Sequence, residues 1–587
     1  MQVTLQNQLN QALHKALLSL GIPDSSLGRI GVTIAKDLQF GDYQTNAAMM
    51  LAKPLKKNPR QFAQEIVDAI ELNELATLSI AGPGFINFTI EASAYAQHIL
   101  GFLQNDRCGV APAKTPETFV VDFSSPNVAK PMHVGHIRST IIGESLSRII
   151  SFLGHKVIKD NHIGDWGTQF GMVIWAWKKD LQETALQASP LQELLRLYRL
   201  ASEACKADES IKDECRSELV KLQNGDEENT QIWVQAVELS KEGLQKIYDR
   251  LGVSFDYWLG ESAYNDLLQA TVDDLISKEI ASENEGAICA FSNGVLDPKK
   301  DPFRKRDAET KEWIDHPMII QKSDGAFNYA TTDLATLAYR AKEWQPDHVL
   351  YVVDHRQGEH FQQLFNLASR LDYSAQLNHV AFGTICGKDG KPLKTRAGDL
   401  PQLADVLDEA VEVAQKIVEE KSLLENASEK QELANNIGIS SVKFTELAHN
   451  RMSDYTFDLD KMVALEGDTA PYLMYSYVRS RSIFRKLDKT FEAPESLTLT
   501  EEKEIHLARM VSRFAEILPT VLDDYRPNVL SSYLLELAKA FHSFFEACPV
   551  LKSTGETQQT RLTLCLLAAN TLKQGLNLLG IEAPERM

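Results

Sequence analysis

The sequence predicts a multidomain α/β protein, in which a parallel-sheet domain with a helical insertion follows an α+β domain and precedes an all-α bundle. The chain has 587 residues, which is too long for one hydrophobic core. A strand, a helix and a second strand are predicted at 119–123, 137–153 and 156–160, and this order is typical of a parallel βαβ unit. After about residue 400, nearly every segment has the apolar periodicity of a helix.

Residues 1–110 are predicted to form the N-terminal α+β domain. The apolar residues of 5–20 fall on one face of a helix, and a glycine and a proline follow as its end. A turn at 82–84 precedes a run of alternating apolar residues, which indicates a strand. The prolines within 112–116 then predict a linker.

The parallel-sheet domain is predicted over 111–400, with a charged helical insertion at about 181–250. Its later elements are expected to be strands at 318–321, 348–353 and 379–385 and a helix over about 333–344. A helical connector over 401–465 and a helical bundle over 466–587 are predicted to follow. One apolar stripe of the bundle is expected to be core: Leu534, Leu537, Ala538, Phe541 and Phe545.

Composition excludes some classes of protein. With 44% hydrophobic and 24% charged residues, and no apolar run near the length of a membrane helix, we expect no membrane partner. The seven cysteines form no C-x-x-C motif, which favours free thiols in a reducing cytoplasm and no zinc. The net charge of −20 argues mildly against a nucleic-acid partner, although basic surface can be local.

The most informative motif is the run from Pro126 to His136, which contains His133, Gly135 and His136 at H-x-G-H spacing between a strand and a helix. A helix N-terminus binds phosphate, and a glycine lets a purine approach the backbone. The two histidines can donate hydrogen bonds to a phosphorus centre. The alternatives are a surface pair of histidines at a helix start, or a zinc site completed by His162.

Several blocks of the chain resemble the arginyl-tRNA synthetase family, of the bacterial kind, within class I of the aminoacyl-tRNA synthetases. The 124–136 segment is similar to the first class I signature of that family. The other similar blocks are 40–46, 82–88, 161–171, 329–333, 354–357, 470–479 and 576–587. The resemblance implies a Rossmann-like catalytic domain over 111–400 and an anticodon-binding bundle over 466–587. It also implies that the N-terminal domain touches the outer corner of the tRNA.

The resemblance implies a two-step reaction. The carboxylate of L-arginine attacks the α-phosphate of ATP to give arginyl-adenylate and pyrophosphate, and the tRNA(Arg) terminal ribose then attacks the activated carbonyl. ATP is expected to bind with Mg²⁺, and no resident metal is expected. The protein is expected to be a cytoplasmic monomer.

One departure from the class I pattern concerns the second signature, K-M-S-K-S. The equivalent loop spans 387–398, with Pro392 and Thr395 in place of the two lysines. The resemblance implies that Lys130, just before the histidine pair, supplies the missing charge. Lys391, Lys394 and Arg396 keep the loop basic.

The resemblance also assigns the substrate contacts. His133 and His136 would face the α-phosphate, Gly135 the adenine and Lys130 the β- and γ-phosphates. Asp333 is the first candidate for the arginine guanidinium, after a strand expected to carry Tyr329, whose ring would pack beside the guanidinium plane. The alternative for Asp333 is a helix cap. The remaining candidates for arginine are Ser125, Asn127, Gln357 and, more weakly, Glu261.

Contacts with tRNA are the least defined part of the prediction. Exposed aromatic and arginine side chains stack on unpaired bases. The candidates are Phe40, Tyr43 and Asn46 in the N-terminal domain and Tyr472, Tyr475, Arg479 and Met587 in the bundle. The alternative is that the tyrosines are bundle core and the arginine is solvated.

Other functions stay open at this point. The chain could activate a different amino acid, because the nucleotide motif alone does not select one. It could be an inactive paralogue that binds RNA, which the intact set of His133, Gly135, His136, Lys130 and Asp333 argues against. Small nucleotidylyltransferases also use H-x-G-H, but they have neither the long N-terminal region nor the helical C-terminal one.

Overall fold

The computed structural model describes residues 3–393, 400–422, 424–487 and 490–587. These residues divide into two compact units. The first contains the described parts of 1–112, 422–429 and 464–587, and the second those of 113–421 and 430–463. Within the described residues, no helix combines the length and the apolar character that crossing a membrane requires.

The regular elements are numbered here in chain order. The helices are α1 (Leu5–Ser19), α2 (Ala47–Leu55), α3 (Pro59–Ala69), α4 (Ala92–Leu100), α5 (Gly135–Phe152), α6 (Thr168–Asp180), α7 (Glu183–Ala188), α8 (Pro190–Ala207), α9 (Glu209–Gln223), α10 (Glu227–Leu251), α11 (Asn265–Ser277), α12 (Tyr329–Glu343), α13 (Gly358–Arg370), α14 (Leu403–Lys421), α15 (Ala427–Ala448), α16 (Leu459–Met462), α17 (Ala470–Arg485), α18 (Glu502–Ser512), α19 (Phe514–Thr520), α20 (Asn528–Ala547) and α21 (Gly555–Leu578). The strands are β1 (Thr33–Ile34), β2 (Tyr43–Thr45), β3 (Ala76–Ala81), β4 (Phe85–Ile90), β5 (Thr118–Asp122), β6 (Lys156–Asp160), β7 (Ala281–Asn284), β8 (Ala287–Ala290), β9 (Arg304–Arg306), β10 (Trp313–Asp315), β11 (Met318–Gln321), β12 (His348–Tyr351), β13 (Gln376–His379), β14 (Ile385–Cys386) and β15 (Tyr455–Thr456).

The first unit joins the N-terminal α+β region to the C-terminal helices. Its antiparallel sheet has the strand order β1-β2-β4-β3. Helix α4 packs against α18, and beside this contact Asp42 forms an ion pair with Arg509. The hydroxyl of Tyr43 donates to Glu516 on α19, at 3.0 and 3.1 Å from its two carboxylate oxygens. Both contacts are buried, so polar pairs hold the two regions together.

The bundle of the first unit has the predicted apolar stripe. Leu534, Leu537, Ala538 and Phe541 of α20 are buried against neighbouring helices. Phe545 is only half-buried, because the inward-facing stripe passes through Phe544 at this turn.

The second unit is built on a parallel sheet with the strand order β13-β12-β5-β6, and the predicted βαβ unit of β5, α5 and β6 is confirmed. The chain leaves β5 toward β6 on one side and returns at β12 on the other side. The sheet therefore has a topological switch point between β5 and β12, where ligands bind outside the carboxyl ends of the strands.

Two of the predicted strands do not continue this sheet. The 318–321 strand, β11, pairs antiparallel with β8 in a separate three-stranded sheet. It buries Met318 and Ile320 and exposes Ile319, as one-sided antiparallel strands do. The strand predicted at 379–385 is also wrong, because β13 ends at His379 and the short β14 pairs with β15.

The helical insertion is present as α7, α8, α9 and α10. Its longest helix, α10, begins after Asp226, whose side chain accepts from the Asn229 N–H, and ends at Gly252 in the left-handed conformation. These caps set the limits of a helix whose Ser240 lies directly behind the predicted nucleotide loop.

Candidate active site

The loop between β5 and α5 is held in an unusual backbone conformation. Ser124, Ser125 and Ala129 have φ angles of 71°, 45° and 61°, in the left-handed region that residues other than glycine seldom adopt. Side chains from other elements fix these residues: the Ser139 hydroxyl accepts from Ser124 N at 2.8 Å, and the Ser240 hydroxyl accepts from Ala129 N at 3.0 Å. Such strain persists only where the surrounding structure enforces it.

The rings of His133 and His136 lie against each other at the start of α5, with centroids 3.9 Å apart. The Gly135 N–H donates to Nδ1 of His133, and the His133 N–H donates to Nδ1 of His136, both at 3.1 Å. Burial lowers the pKa of both rings, that of His136 to about 3. Both histidines are therefore neutral. A ring whose Nδ1 accepts a backbone N–H carries its proton on Nε2, as His133 does, whereas Nδ1 of His136 also lies 3.3 Å from the His133 carbonyl oxygen.

Gly135 is required by this arrangement. A side chain at Gly135 would place its first carbon 2.9 Å from the His133 ring. Gly135 is exposed and has no side chain, so a base can approach the loop backbone at this position. The surface alternative for the histidine pair does not account for the burial and mutual packing of the two rings.

Lys130 lies in the same loop and is half-buried. Its Nζ lies 3.9 Å from the ring centroid of Tyr198, on α8 of the insertion. This cation–π contact places the ammonium group without neutralising it. Sequence reasoning missed Tyr198, because nothing in the insertion marks it.

The chain that follows the second predicted loop contacts the histidine loop. The chain at 401–403 hydrogen-bonds to the 132–134 segment: Val134 N donates to Pro401 O at 2.9 Å, and Leu403 N donates to Met132 O at 2.8 Å. Lys391 is exposed in a turn in which Gly387 N donates to Lys391 O at 2.8 Å. The predicted contacts of Lys394 and Arg396 lie outside the described residues.

The predicted arginine contacts flank the switch point. Ser125 follows β5, and its hydroxyl donates to Asp122 at 3.0 Å. Asn127 forms a β-bridge with Gly164. A Cβ atom added at Gly164 would lie 2.1 Å from the Asn127 amide oxygen, so this close approach requires glycine. Gln357 follows β12 at the end of a short 3₁₀ turn and is exposed.

Tyr329 is the first residue of α12, which corrects its predicted place on a strand. The helix starts earlier than predicted because the side chain of Asn328 caps it and accepts from Ala330 N. Asp333 lies one turn further on, so the helix-cap alternative is wrong for it. Its Oδ2 is 2.5 Å from Nε2 of His360, and the Tyr329 ring meets the same histidine edge to face at 4.8 Å.

Glu261 lies near Asp333 in the second unit. Its N–H donates to Ile163 O, just beyond β6. The pKa of Glu261 is raised to about 7, mainly by burial and also by the nearby Asp165 and Asp333, while His162 acts in the opposite direction. Several carboxyl groups thus share one partly dry region, which suits a cationic ligand.

A buried ion network lies beneath these residues. The Arg340 guanidinium donates to Asp122 at 2.6 Å and to Asp160 at 2.7 Å, the last residues of β5 and β6. His162 and the two aspartates place ligand atoms within 4.8 Å of one another, as a metal site would. However, the Arg340 guanidinium already supplies the positive charge that a metal ion would bring to these aspartates. His162 lies beside the aspartates, so its position does not support a zinc site shared with His133 and His136.

The predicted tRNA contacts divide by burial. Phe40, Asn46 and Tyr475 are exposed, whereas Tyr43 is fully buried and bonded to Glu516. Tyr43 is thus a packing residue of the first unit, which argues against direct contact with RNA. Met587 is half-buried.

Three of the four bundle candidates lie around His542, which sequence reasoning missed. The rings of Tyr472 and Tyr475 lie 5.4 and 6.3 Å from its ring, and Nη1 of Arg479 lies 3.1 Å from its Nδ1. The Arg479 guanidinium also lies over the Phe545 ring at 4.3 Å. A stacked aromatic surface beside a cation is typical of single-stranded nucleic-acid contacts.

Comparisons with known proteins agree with this geometry. Residues 98–459, more than half of the chain, match the family model "tRNA synthetases class I (R), catalytic domain". Residues 473–587 match the DALR anticodon binding domain, and residues 4–90 match the arginyl tRNA synthetase N terminal domain.

Curated relatives cover the whole chain. An arginine--tRNA ligase of Idiomarina loihiensis is 43% identical over 99% of this chain and 100% of its own length, and one of Laribacter hongkongensis is 42% identical over 100% of both. Among solved structures, the arginyl-tRNA synthetase of Plasmodium falciparum is 28% identical and covers 100% of both chains with a TM-score of 0.82. That of Thermus thermophilus, at 24% identity, covers 99% of this chain and 100% of its own with a TM-score of 0.80, which supports the fold. The chain therefore belongs to the arginyl-tRNA synthetase family of class I.

Proposed function

We propose that this chain joins L-arginine to tRNA(Arg) at the expense of ATP, with its active site in the crevice outside the carboxyl ends of β5 and β12. One observation carries this proposal: a loop with two neutral histidine donors and a region rich in carboxyl groups lie at the same edge of the parallel sheet. A triphosphate needs the first, and a guanidinium needs the second.

In the first step the arginine carboxylate attacks the α-phosphate, and the bond to pyrophosphate breaks. The Nε2–H groups of His133 and His136 donate to the α-phosphate oxygens as charge develops there. Because both rings are neutral, they stabilise this charge without binding the ground-state triphosphate as strongly as cations would. The N-terminus of α5 adds its partial positive charge.

Lys130 meets the β- and γ-phosphates, with its position set by the Tyr198 ring. Lys391, and in the loop beyond it Lys394 and Arg396, contribute further positive charge. The loop offers N–H donors and a lysine rather than oxygen ligands, so Mg²⁺ would be held there by the triphosphate and water. When bound, the ion neutralises phosphate charge.

Arginine lies with its guanidinium toward Asp333 and Glu261 and its plane beside Tyr329. Ser125, Asn127 and Gln357 contact the α-amino and carboxylate end. A lysine substrate would leave carboxylate oxygens without partners, and a polar site of this kind can reject it by about 10⁴-fold. Selection of arginine thus follows from hydrogen bonding rather than from pocket size.

In the second step a ribose hydroxyl of the tRNA 3′ end attacks the activated carbonyl, and AMP leaves. Tyr472, Tyr475, Arg479 and Met587 contact the anticodon arm, and Phe40 and Asn46 contact the outer corner. We further propose that the protein works as a cytoplasmic monomer with domain limits at about 110, 400 and 465.

The test measures charging of total tRNA with labelled arginine, with and without ATP, for the wild type and for Asp333→Asn. We expect ATP-dependent charging by the wild type, its loss in Asp333→Asn, and ATP binding by both. Asp324→Asn, on an exposed loop, is the matched control. Normal charging by Asp333→Asn would remove Asp333 from the site, and charging with another amino acid in place of arginine would overturn the proposed function.

A further inference from the structure

Two cysteines of the helical insertion lie in contact, and neither takes part in the proposed aminoacylation reaction. The Sγ atoms of Cys205, on α8, and Cys215, on α9, are 3.6 Å apart. Both thiols are free. A disulfide has sulfurs about 2.05 Å apart, so closing this pair needs a movement on the scale of a side-chain rotation.

The two cysteines differ in exposure and in how closely their backbone is packed. Cys215 is 4% exposed, and its carbonyl oxygen lies so close to α6 that a side chain at Gly171 would reach within 2.3 Å of it. Cys205 is half-buried and belongs to the last turn of α8, where helices adjust most easily. The movement that joins the sulfurs can therefore come from Cys205.

The surroundings suit an uncharged disulfide. Apolar side chains pack around the pair, among them Trp175, Leu197 and Ala201. Burial, together with the hydrogen bond to Cys205, raises the pKa of the Cys215 thiol to about 12. Cys215 is thus a poor first nucleophile, and the more accessible Cys205 meets an oxidant first.

We propose that Cys205 and Cys215 are a modification site, at which a hydroperoxide converts the two thiols into an intramolecular disulfide. The Cys205 sulfur attacks one oxygen of hydrogen peroxide, the O–O bond breaks, and a sulfenic acid and water form. The Cys215 sulfur then attacks the Cys205 sulfur, the S–O bond breaks, and the departing hydroxide leaves as water with the Cys215 proton. In sum, two thiols are oxidised, one peroxide is reduced, and two waters form.

The disulfide joins α8 to α9 across the corner between them, where Asp208 links the two helices. Tyr198, which contacts Lys130, lies about two helical turns before Cys205 on the same helix. The bond therefore secures the helix that carries this contact without touching the substrate loop. We expect the oxidised protein to charge tRNA within about twofold of the reduced protein.

The test treats the folded, full-length protein with hydrogen peroxide, blocks free thiols, and maps tryptic peptides without reduction. Cleavage at lysine and arginine puts Cys205 in peptide 200–206 and Cys215 in peptide 213–216. We expect these two peptides to be linked with the loss of two hydrogens, and dithiothreitol to separate them. In Cys215→Ala, where the second step is impossible, Cys205 should be trapped as a dimedone adduct.

Cys289→Ser, at a buried cysteine outside the insertion, is the matched control and should keep the link. Three results would overturn the proposal: both peptides recovered unlinked while Cys205 advances to sulfinic acid, a link that forms only in denatured protein, or equal pairing of Cys215 with other cysteines. None of these results bears on the proposed aminoacylation site, which contains neither cysteine.

Discussion

His360 and Asp333 are in hydrogen-bond contact, with Nε2 of the histidine 2.5 Å from Oδ2 of the aspartate. The pair joins the first turn of α13 to the second turn of α12, and both side chains are largely buried. Because His360 binds one carboxylate oxygen, it orients the other for the contact that we propose with the arginine guanidinium. His360 is thus a positioning residue for the proposed substrate contact.

We predict that His360→Leu raises the KM for arginine about tenfold or more and changes kcat less. A hydrogen bond to a charged group is worth about 1.5–3 kcal/mol, and its loss lets the Asp333 carboxylate rotate. His360→Gln, which retains a donor near Nε2, should recover part of the loss. Steady-state charging with varied arginine measures the effect, and His316→Leu, which removes a pair with the exposed Glu359, is the control. An unchanged or lower KM for arginine would contradict the positioning role.

We predict that arginine binds more tightly as pH rises from 6 to 8. Glu261 has a pKa of about 7 in the free protein, above the usual carboxyl value, so it is mostly protonated at pH 6 and mostly ionised at pH 8. The guanidinium stays charged throughout and favours the ionised carboxylate. If only the ionised form binds, the KM for arginine falls by up to about tenfold across this range.

Glu261→Gln supplies the control for this pH dependence. The variant should bind arginine weakly at both ends of the range, and its profile should be flat, while the KM for ATP stays unchanged. An unaltered slope in Glu261→Gln would assign the titration to another group.

We predict that Lys130→Ala slows adenylate formation far more than Lys391→Ala does. Lys130 is held in place by Tyr198, so its charge is available to the triphosphate without an ordering cost, whereas Lys391 is exposed in a turn. Pyrophosphate exchange in the presence of tRNA measures this step. Tyr198→Leu should raise the KM for ATP several-fold, and Tyr198→Phe should not. Equal effects of the two lysine variants would refute the compensation by Lys130.

How far the sequence predicts this site depends on where the partners of each residue lie. The histidine loop is predictable, because His133, Gly135 and His136 take their geometry from one another within a single loop. The contacts of Tyr198 and His360 are not, since their partners, Lys130 and Asp333, lie elsewhere in the chain and are reached only through the fold.

Burial and sheet membership are likewise set by distant parts of the chain. Arg340 is completely buried, with its guanidinium between the ends of two strands. In the sequence, however, an arginine near the end of a helix gives the same pattern whether it is buried or solvated. The 318–321 strand contains the apolar residues expected of a parallel strand, and only its neighbours show that one face is open. Local periodicity identifies the element but not the sheet to which it belongs.

The last prediction concerns the surface around His542. Tyr475 is 46% exposed, and its ring is nearly parallel to that of His542, at an interplanar angle of 14°. An unpaired base can extend this stack, and such stacking is worth about 1–3 kcal/mol per base. Tyr475→Ala should therefore raise the KM for tRNA by about fivefold or more and leave the KM values for arginine and ATP unchanged.

Two further variants separate stacking from simple folding effects on this surface. Tyr475→Phe retains the ring and should behave as the wild type, because a phenyl face stacks as well as a phenol. Tyr477 is buried, and its hydroxyl donates to Glu585. Tyr477→Phe removes this hydroxyl and should also leave the KM for tRNA unchanged. Charging kinetics with varied tRNA at two salt concentrations provide the measurement. A loss in Tyr475→Ala that shrinks steeply as salt rises would indicate a lost charge contact instead of a stack, since salt weakens phosphate contacts in the wild type.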